Sequence, residues 1–429
     1  MAKDNIKDKI TERIYIRGKL ELVSPLVLGS GQDENTDIDL IRDWDGRPFI
    51  PGTAIAGAVR HYLDEILEQE LVKTVFGKKE KDSIQSLISF YDALPLGDPK
   101  IRIRDGVRLG HETKTAEDQT KYDYEILEPG HAFSFKSEVV IRENHVSDKD
   151  RINDLLFLML SSLKDKKISF GAKTRRGFGM MRLYDEEVLC LNIPDDVQKW
   201  IDFTWNFEGK KDISVLQKNI LQISETEFTE ISAEFEIPYS ILIRHYSDSP
   251  GEPDTTHLSS NGKSVIPGTS WNGAIRHAVY HILKQLNKSE ELTNDLFGYV
   301  KEDKKDAKAS RIIIRESLID GGELLTYTRN KVDRFTGGVV DSALFDEMPH
   351  YHGKVKLNIA IKKPEKWEIG LILLALKDMG NGIQPVGGGA NIGRGILKAQ
   401  KISIQSDTIE SEGECLKNLA AKLQEQKNE

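Results

Sequence analysis

The chain has 429 residues, of which 38% are hydrophobic and 30% charged, and its formal net charge is −9. This length predicts two or three domains, and the composition is that of an ordinary globular protein. The negative charge argues against a protein that coats nucleic acid with its whole surface, although it leaves room for a local basic groove.

Three further features predict a cytoplasmic protein without membrane association. No apolar run is long enough to span a bilayer. The N-terminal segment Met1–Lys9 is charged and lacks the apolar centre of a signal peptide. The two cysteines, Cys190 and Cys415, are too few and too scattered for a disulfide framework or a zinc site.

Strand-like and helix-like stretches follow each other in the same order in both halves of the chain. Alternating apolar residues predict strands, and apolar residues at helical spacing predict helices. The elements predicted in the first half are a strand at Ile14–Leu28, a helix at Ala54–Leu67, strands at Ile101–Arg104 and Ala132–Ile141, a helix at Arg151–Leu163 and a strand at Met180–Tyr184. Those predicted in the second half are a strand at Ile231–Arg244, a helix at Ser270–Leu283, strands at Arg311–Arg315 and Val355–Ile361, a helix at Trp367–Met379 and a strand at Ile396–Ile404. This order predicts an α+β fold with two tandem ferredoxin-like (RRM-like) domains, each an antiparallel sheet backed by two helices.

A Pro-Gly-Thr turn shows the duplication most clearly. Ile50–Leu67 and Ile266–Leu283 agree at ten of eighteen positions without a gap, at a spacing of 216 residues. In each copy the glycine permits a tight turn, and Thr53 or Thr269 is predicted to cap the helix that follows.

The start of this helix is a candidate phosphate site in both copies. Free backbone N–H groups and the positive end of the helix dipole attract anions. Arg60 and Arg276 lie about two turns further into the helix and could reach a bound phosphate. The alternative is a turn that only defines the fold, with its arginine in an internal ion pair.

A glycine-rich loop precedes the last strand of each half and is the best candidate for an RNA contact. In the first half the glycines of Phe170–Gly179 bracket Lys173, Arg175 and Arg176, which could neutralise phosphates. The second loop, Val386–Gly395, has only Arg394 as a nearby cation. A plain connection between helix and strand is the alternative for both loops.

A polar insertion in each half is predicted to form a protruding β-hairpin arm. Thr113, Asp118 and Asp123 align with Thr336, Asp341 and Asp346 at one constant offset. A polar arm that does not pack on its own domain commonly binds a partner. The alternative is a mobile loop without a binding function. We place the first domain at 1–205 with its arm at about 101–130, a linker at 206–229, the second domain at 230–404 with its arm at about 311–350, and a solvent-facing acidic and polar tail at 405–429.

The loop Gly29–Asp45 is the first candidate for catalysis because it contains six carboxylates. A carboxylate beside a phosphate-binding helix start could bind Mg²⁺ or take a proton from a ribose 2′-OH. The loop at the same place in the second half contains Asp248, Glu252, Asp254 and His257. Loop aspartates are commonly just solvated, which is the alternative.

Together these motifs resemble the RAMP superfamily of CRISPR systems. The resemblance rests on Ile-Pro-Gly-Thr followed by Gly-Ala-x-Arg, on the late glycine loops, and on hairpin arms similar to the thumb of a type III backbone subunit. It covers roughly Ile14–Tyr184 and Ile231–Ile404. A fused tandem is similar to variant type III systems, in which backbone subunits are joined in one chain.

The resemblance implies a subunit that binds a CRISPR guide RNA (crRNA), assembles with other type III effector subunits and cleaves complementary target RNA. Cleavage would need Mg²⁺ or Mn²⁺ and would leave a 2′,3′-cyclic phosphate and a 5′-OH. Counting back from Pro51 places the family's catalytic aspartate at Asp37, which is also the predicted metal ligand, with Asp39 as the near miss. In the second half Asp254 and Asp248 are the candidates, in a weaker pattern.

The resemblance also implies two sets of RNA contacts. The predicted RNA-binding residues are Thr53, Arg60, Lys173, Arg175, Arg176, Thr269, Arg276 and Arg394. The predicted thumb residues are Arg108, Thr113, Tyr122, Arg334, Phe335 and Phe345.

The sequence is also consistent with three other functions. The chain could be a scaffold that binds guide RNA without cutting. It could be a metal-independent endonuclease that processes the guide precursor, with its acid and base drawn from His61, His277, His111 and His257. A sensor of small nucleotides has no support beyond generic glycine loops.

Overall fold

The computed structural model describes residues 8–31, 36–78, 84–107, 110, 120–224, 228–246, 251, 253–300, 307–405 and 411–425. The chain divides into two compact units. The first unit comprises Met1–Ile103, Tyr124–Thr174 and Phe178–Thr226. The second comprises Arg104–Asp123, Arg175–Gly177 and Glu227–Glu429. Two short segments from the first half of the sequence, in the arm and in the glycine loop, therefore belong to the second unit.

The first half of the chain forms one antiparallel sheet and a separate hairpin. Its elements are β1 (Ile10–Leu22), α1 (Gly52–Ile66), α2 (Gln69–Phe76), β2 (Ile88–Phe90), β3 (Ile101–Gly106), β4 (Tyr122–Leu127), β5 (Ala132–Arg142), α3 (Lys149–Lys164), β6 (Met181–Asn192) and α4 (Val197–Ile201). The sheet has the order β2-β5-β1-β6, and every neighbouring pair is antiparallel. This is the strand order of a ferredoxin-like fold.

The second strand of this sheet differs from the sequence prediction. Ile88–Phe90 pairs with β5, whereas the predicted strand at Ile101–Arg104 becomes β3 and pairs with β4 in a two-stranded hairpin. The alternating Ile-Arg-Ile-Arg pattern correctly indicated extended backbone. It could not indicate the partner strand, because pairing is decided by contacts distant in sequence.

The core of the first unit lies between the sheet and the helices. Along β5 every second residue is buried, including Phe133 and Phe135. Helix α1 contributes a buried stripe of Ile55, Val59 and Leu63 at helical spacing. The periodicities read from the sequence therefore correspond to the faces that are buried.

The predicted linker at 206–229 is, over its described part, fastened to the first unit. Lys210 pairs with Val188 of β6, and Ile213 and Leu216 are buried in the core. The polar composition did not indicate this attachment, because two buried apolar residues and one backbone pairing are sufficient to attach the segment.

The second half contains the same sheet with additional strands around it. Its elements are β7 (Phe228–Glu236), β8 (Ser240–Ile241), β9 (Arg244–Tyr246), β10 (Thr255–His257), β11 (Ser259–Ser260), β12 (Lys263–Ile266), α5 (Gly268–Gln285), α6 (Asn294–Phe297), β13 (Tyr299–Val300), β14 (Ala307–Lys308), β15 (Ile312–Ile314), β16 (Ser317–Asp320), β17 (Glu323–Leu324), β18 (Tyr327–Val332), β19 (Val339–Met348), β20 (His350–Tyr351), β21 (Lys354–Lys362), α7 (Lys366–Gly380), β22 (Lys398–Gln405) and α8 (Glu412–Glu425). Strands β15, β21, β7 and β22 repeat the order of β2, β5, β1 and β6. The predicted α+β fold with two tandem ferredoxin-like domains is confirmed.

The composition of the C-terminal tail predicts that it faces solvent, but part of the tail is buried. Helix α8 packs on α7 and buries Cys415 and Leu419. The approach is so close that a Cβ at Gly370 would collide with the backbone carbonyl of Cys415. Apolar residues four apart in an otherwise polar helix form the narrow face that makes this contact.

Candidate nucleic-acid interface

Asp37 lies on a short extended segment that is paired with the hairpin strand β4. Ile38 forms a parallel bridge with Tyr124, and the carbonyl of Ile38 accepts the backbone N–H of Glu125 at 3.0 Å. Asp37 is exposed, while Asp39, two residues on, is 6% exposed, so this segment does not follow the regular alternation of faces of a β-strand.

The buried carboxylate of Asp39 has a structural role. Its Oδ1 accepts both the backbone N–H and the hydroxyl of Thr36, each at 2.9 Å. A buried carboxylate engaged in this way stabilises the loop and is poorly placed to meet a substrate. This position favours Asp37 over Asp39 as the catalytic candidate of this loop, and both stay predictions.

Glu125 anchors this loop and was not among the predicted functional residues. One of its oxygens accepts the backbone N–H of Leu40 at 2.9 Å, and the guanidinium of Arg42 donates to both oxygens at 2.8 and 2.9 Å. Both the backbone and the side chain of Glu125 on β4 thus hold the segment that carries Asp37. The opposite charges of Arg42 and Glu125 are visible in the sequence, but their 83-residue separation gives no reason to pair them.

Lys173 is brought to the same strand as the Asp37 segment. Its ammonium lies 3.2 Å from the centroid of the Tyr124 ring, and this ring also packs against Phe178. A cation over an aromatic face is attracted by the ring quadrupole. In the first unit, Tyr124 thus connects the acidic loop with the glycine-rich loop.

The second half repeats the pairing of the Asp37 segment. Thr255 pairs in parallel with Glu347, as Ile38 does with Tyr124. Asp254 therefore occupies the structural position of Asp37, although it is one residue out of register when the two sequences are aligned without a gap. Asp254 is also exposed, and its Oδ2 accepts the backbone N–H of Asp346 at 3.0 Å.

Arg394 is not an accessible cation, contrary to the prediction for the second glycine loop. Its side chain is 6% exposed and forms an ion pair with Glu347 at 2.7 Å, and Glu347 also binds Arg329. Arg394 stands between Gly393 and Gly395 as Phe178 stands between Gly177 and Gly179. The second half thus has a buried ion pair where the first half has the Tyr124–Phe178 ring contact.

The two threonines of the Pro-Gly-Thr turns are not helix caps. Helices α1 and α5 begin at the glycine, so Thr53 and Thr269 lie inside the first turn, and no side-chain capping bond is formed. The glycine is required because a Cβ at Gly52 would collide with the carbonyl of Phe90. In α1 the backbone N–H of Gly52 already donates to Oδ1 of Asp92 at 2.7 Å. A carboxylate therefore lies where a phosphate had been predicted in the first half.

The two helix arginines have different surroundings. Arg60 is half-buried and forms an ion pair at 3.6 Å with Asp64, one turn on in the same helix. Arg276 is half-buried and lies over the ring of Phe297. Their equivalence in sequence does not extend to their neighbours.

Arg176 approaches Arg276 within the second unit. Its guanidinium donates to Oδ1 of Asn272 at 2.8 Å. Burial, together with the neighbouring charge of Arg276, lowers the pKa of Arg176 to about 10. Two guanidinium groups that repel each other in a half-buried position are suited to an anion, which would relieve the repulsion. Arg175, next to this pair, is half-buried.

The predicted arm of the second half is a long hairpin with an exposed apolar tip. Strands β18 and β19 are antiparallel, and Oδ1 of Asp333 stabilises the turn by accepting the backbone N–H groups of Phe335 and Thr336. Phe335 is 94% exposed, Phe345 is half exposed, and Arg334 is exposed. Such aromatic exposure is unusual for a surface without a partner.

The arm of the first half is described only at its base. The ring of Tyr122 on β4 lies against Gly106 on β3, where a Cβ would collide with it. Two residues earlier on β3, Arg104 is buried and donates to Glu316 at 2.6 Å within the second unit. The predicted thumb residues Arg108 and Thr113 lie outside the described residues, as does the catalytic candidate Asp248.

The described residues contain no group of three or more His, Cys, Asp or Glu side chains placed to hold a metal ion. Asp37 has the right donor type for Mg²⁺ or Mn²⁺ but belongs to no preassembled ligand set in that part of the chain. Around Asp37 the described residues therefore offer one candidate ligand and not a complete metal site.

A model of the RAMP superfamily matches the chain twice, over residues 19–182 and 234–398. The chain belongs to the RAMP superfamily. The two matches confirm a tandem RAMP protein and thereby indicate a CRISPR-associated RNA-binding protein. A search among curated proteins returned no match.

Within the described residues, no α-helix combines the length and the apolar character needed to cross a membrane.

Proposed function

We propose that this RAMP protein is a guide-RNA-binding backbone subunit of a type III CRISPR ribonucleoprotein, and that Asp37 supports cleavage of the target RNA paired to the guide. The observation that carries the proposal is an exposed carboxylate on a segment held by Glu125 of β4, the strand whose Tyr124 ring contacts the Lys173 ammonium. In a RAMP protein, whose substrate class is RNA, such a carboxylate faces the solvent where a ribose can reach it.

Guide binding would rely on local cations, because the chain as a whole is acidic. Lys173 in the first unit, and Arg175, Arg176 and Arg276 in the second, are the candidates for phosphate contacts. Phosphate contacts fix the position of RNA without reading its sequence, so target selection would belong to base pairing with the guide. The exposed aromatic tip at Phe335 is a surface on which bases could stack.

The proposed reaction is an internal transesterification of the target RNA. The 2′-OH of a target nucleotide attacks the adjacent phosphorus, and the Asp37 carboxylate accepts the proton that O2′ loses. The bond between phosphorus and O5′ breaks, and O5′ takes up a proton from solvent. The products are a 2′,3′-cyclic phosphate and a 5′-OH, so no water is consumed.

Dependence on Mg²⁺ or Mn²⁺ remains part of the proposal. Adding EDTA to the assembled complex tests it directly, since chelation would stop a metal-dependent cut and leave a metal-independent one unchanged. Undiminished cutting would instead favour a guide-processing type of enzyme. The histidine His257 is a poor candidate for that chemistry because it is buried and hydrogen-bonded, and burial lowers its pKa to about 4.

The decisive experiment compares aspartate variants in the assembled complex with end-labelled complementary RNA. Asp37→Ala is expected to remove the products of one set of cleavage positions, and Asp254→Ala shows whether the second half also cuts. Asp45→Asn is the matched control, since it removes one exposed charge from the same loop. If both Asp37→Ala and Asp254→Ala leave every product in place, the chain is a scaffold and another subunit cuts. Copurified guide RNA should be unchanged in all three variants.

A further inference from the structure

A pair of histidines on α5 is not used by the proposed function. His277 and His281 are one helical turn apart, and both are half-buried. Their Nε2 atoms are 2.9 Å apart, with the two rings nearly perpendicular. Two imidazoles at positions i and i+4 of a helix are a common arrangement for chelating a metal. A simple hydrogen bond between neutral rings explains the same distance, so an experiment must separate the two.

The distance between the nitrogens indicates which metals would fit. With metal–nitrogen bonds of about 2.0–2.1 Å, nitrogens 2.9 Å apart enclose an angle of about 90° at the metal. Right-angle positions belong to square-planar and octahedral ions, whereas a tetrahedral ion would need the nitrogens about 3.4 Å apart. Imidazole ligands in this geometry favour Ni²⁺ and Cu²⁺.

The rings are held in place by their surroundings. The ring of Tyr280 lies edge-on to His281 at 5.6 Å between centroids. Partial burial and this contact restrict the rotamers, so less conformational entropy is lost when a metal binds.

The first half of the chain lacks the pair. His61 and Glu65 stand at the positions of His277 and His281, offset by the same 216 residues, and their nearest atoms are 3.6 Å apart. The pair is therefore a property of the second repeat alone and provides an internal comparison.

We propose that His277 and His281 form a binding site for a divalent transition metal that accepts two imidazoles at a right angle, Ni²⁺ or Cu²⁺. The two histidines supply two ligands, and water supplies the others. This site is separate from the Asp37 chemistry and does not depend on it.

The test is titration of the full, tag-free chain with NiCl₂ by calorimetry. We expect one equivalent to bind, with a rise in Tm that grows with nickel concentration. His277→Ala and His281→Ala should each weaken this binding at least about tenfold, because one remaining imidazole cannot chelate. Alanine favours helix, so both variants should fold, and circular dichroism checks this.

Two further variants make the result specific. His61→Ala is the matched control and should retain the full nickel affinity. His281→Glu copies the His61–Glu65 pair and should bind Ni²⁺ more weakly, because carboxylate is the harder ligand. With one equivalent of Cu²⁺, electron paramagnetic resonance should show coupling to two imidazole nitrogens. The proposal fails if the native chain shows no saturable Ni²⁺ binding, or if both alanine variants bind Ni²⁺ as tightly as the native chain does.

Discussion

Asp154 fastens residues 218–221 to helix α3, and its replacement should destabilise the first unit. The carboxylate is 5% exposed and accepts four backbone N–H groups. The Oδ1 atom accepts the backbone N–H groups of Lys218 and Asn219. The Oδ2 atom accepts those of Ile220 at 2.5 Å and Leu221 at 3.2 Å. These bonds hold the segment that the sequence had suggested was a linker.

The magnitude follows from the number of donors that lose their acceptor. In Asp154→Asn one oxygen remains, but the amide NH₂ now faces two N–H groups that have no other described acceptor at this site. Hydrogen bonds to charged groups contribute about 1.5–3 kcal/mol each, and a buried donor left unsatisfied costs about 1–3 kcal/mol. Because neighbouring bonds are not additive, we expect a loss of about 2–5 kcal/mol in the free energy of unfolding of the first unit.

Urea unfolding followed by tryptophan fluorescence measures this loss, since Trp200 and Trp205 both lie in the first unit. Asp150→Asn is the control, because Asp150 is an exposed carboxylate in the first turn of the same helix. It should change stability by about 0.5 kcal/mol or less. Hydrogen exchange of the amides of residues 218–221 should accelerate only in Asp154→Asn. Equal stability of the two variants would refute the reasoning.

The pH dependence provides a second check on Asp154. Burial alone would raise the pKa of the carboxyl, but the four backbone donors outweigh it and hold the pKa below its usual value. A depressed pKa in the folded state contributes stability above the unfolded value of about 3.9, and this is lost as the pH falls through the folded value. The difference between native protein and Asp154→Asn should therefore be full at neutral pH and shrink below about pH 4.

Three other changes test the site and the second unit. Arg104→Ala leaves Glu316, whose side chain is 11% exposed, without its Arg104 partner and should cost about 3–5 kcal/mol in urea unfolding, whereas the apolar pair Arg104→Met with Glu316→Leu should recover most of this loss. Arg176→Gln should weaken guide RNA binding and reduce the slope of log K against log salt by about one, and an unchanged slope would exclude a phosphate contact. Phe335→Ser should leave Tm unchanged, because the side chain is 94% exposed, while lowering RNA affinity in a filter-binding assay; equal affinity would show that the tip does not touch RNA.

Local sequence was enough to predict the duplication, the four main helices, the four strands that the second sheet shares with the first, and three of the four strands of the first sheet. Helix and strand periodicity are local properties, so the predicted helix at Arg151–Leu163 appears as α3 with one or two residues added at each end. The glycines of the Pro-Gly turns were also readable, because only glycine permits the close backbone approach seen at Gly52. The hairpin arm of the second half followed from its polar composition and its turn at Asp333–Gly338.

Contacts between residues distant in sequence determine which polar residues are available for chemistry. Asp37 and Asp39 look alike in sequence, yet the first is exposed, whereas the second is buried and accepts hydrogen bonds from Thr36. Arg394 lies in a loop whose sequence is typical of RNA binding, yet its side chain is buried in an ion pair with Glu347, 47 residues earlier in the chain. Pairing of Thr255 with Glu347 also put Asp254 in the place of Asp37, which gap-free alignment could not do. Whether a side chain is exposed, and which residue it contacts, depends on residues far apart in the chain. The local sequence does not contain this information.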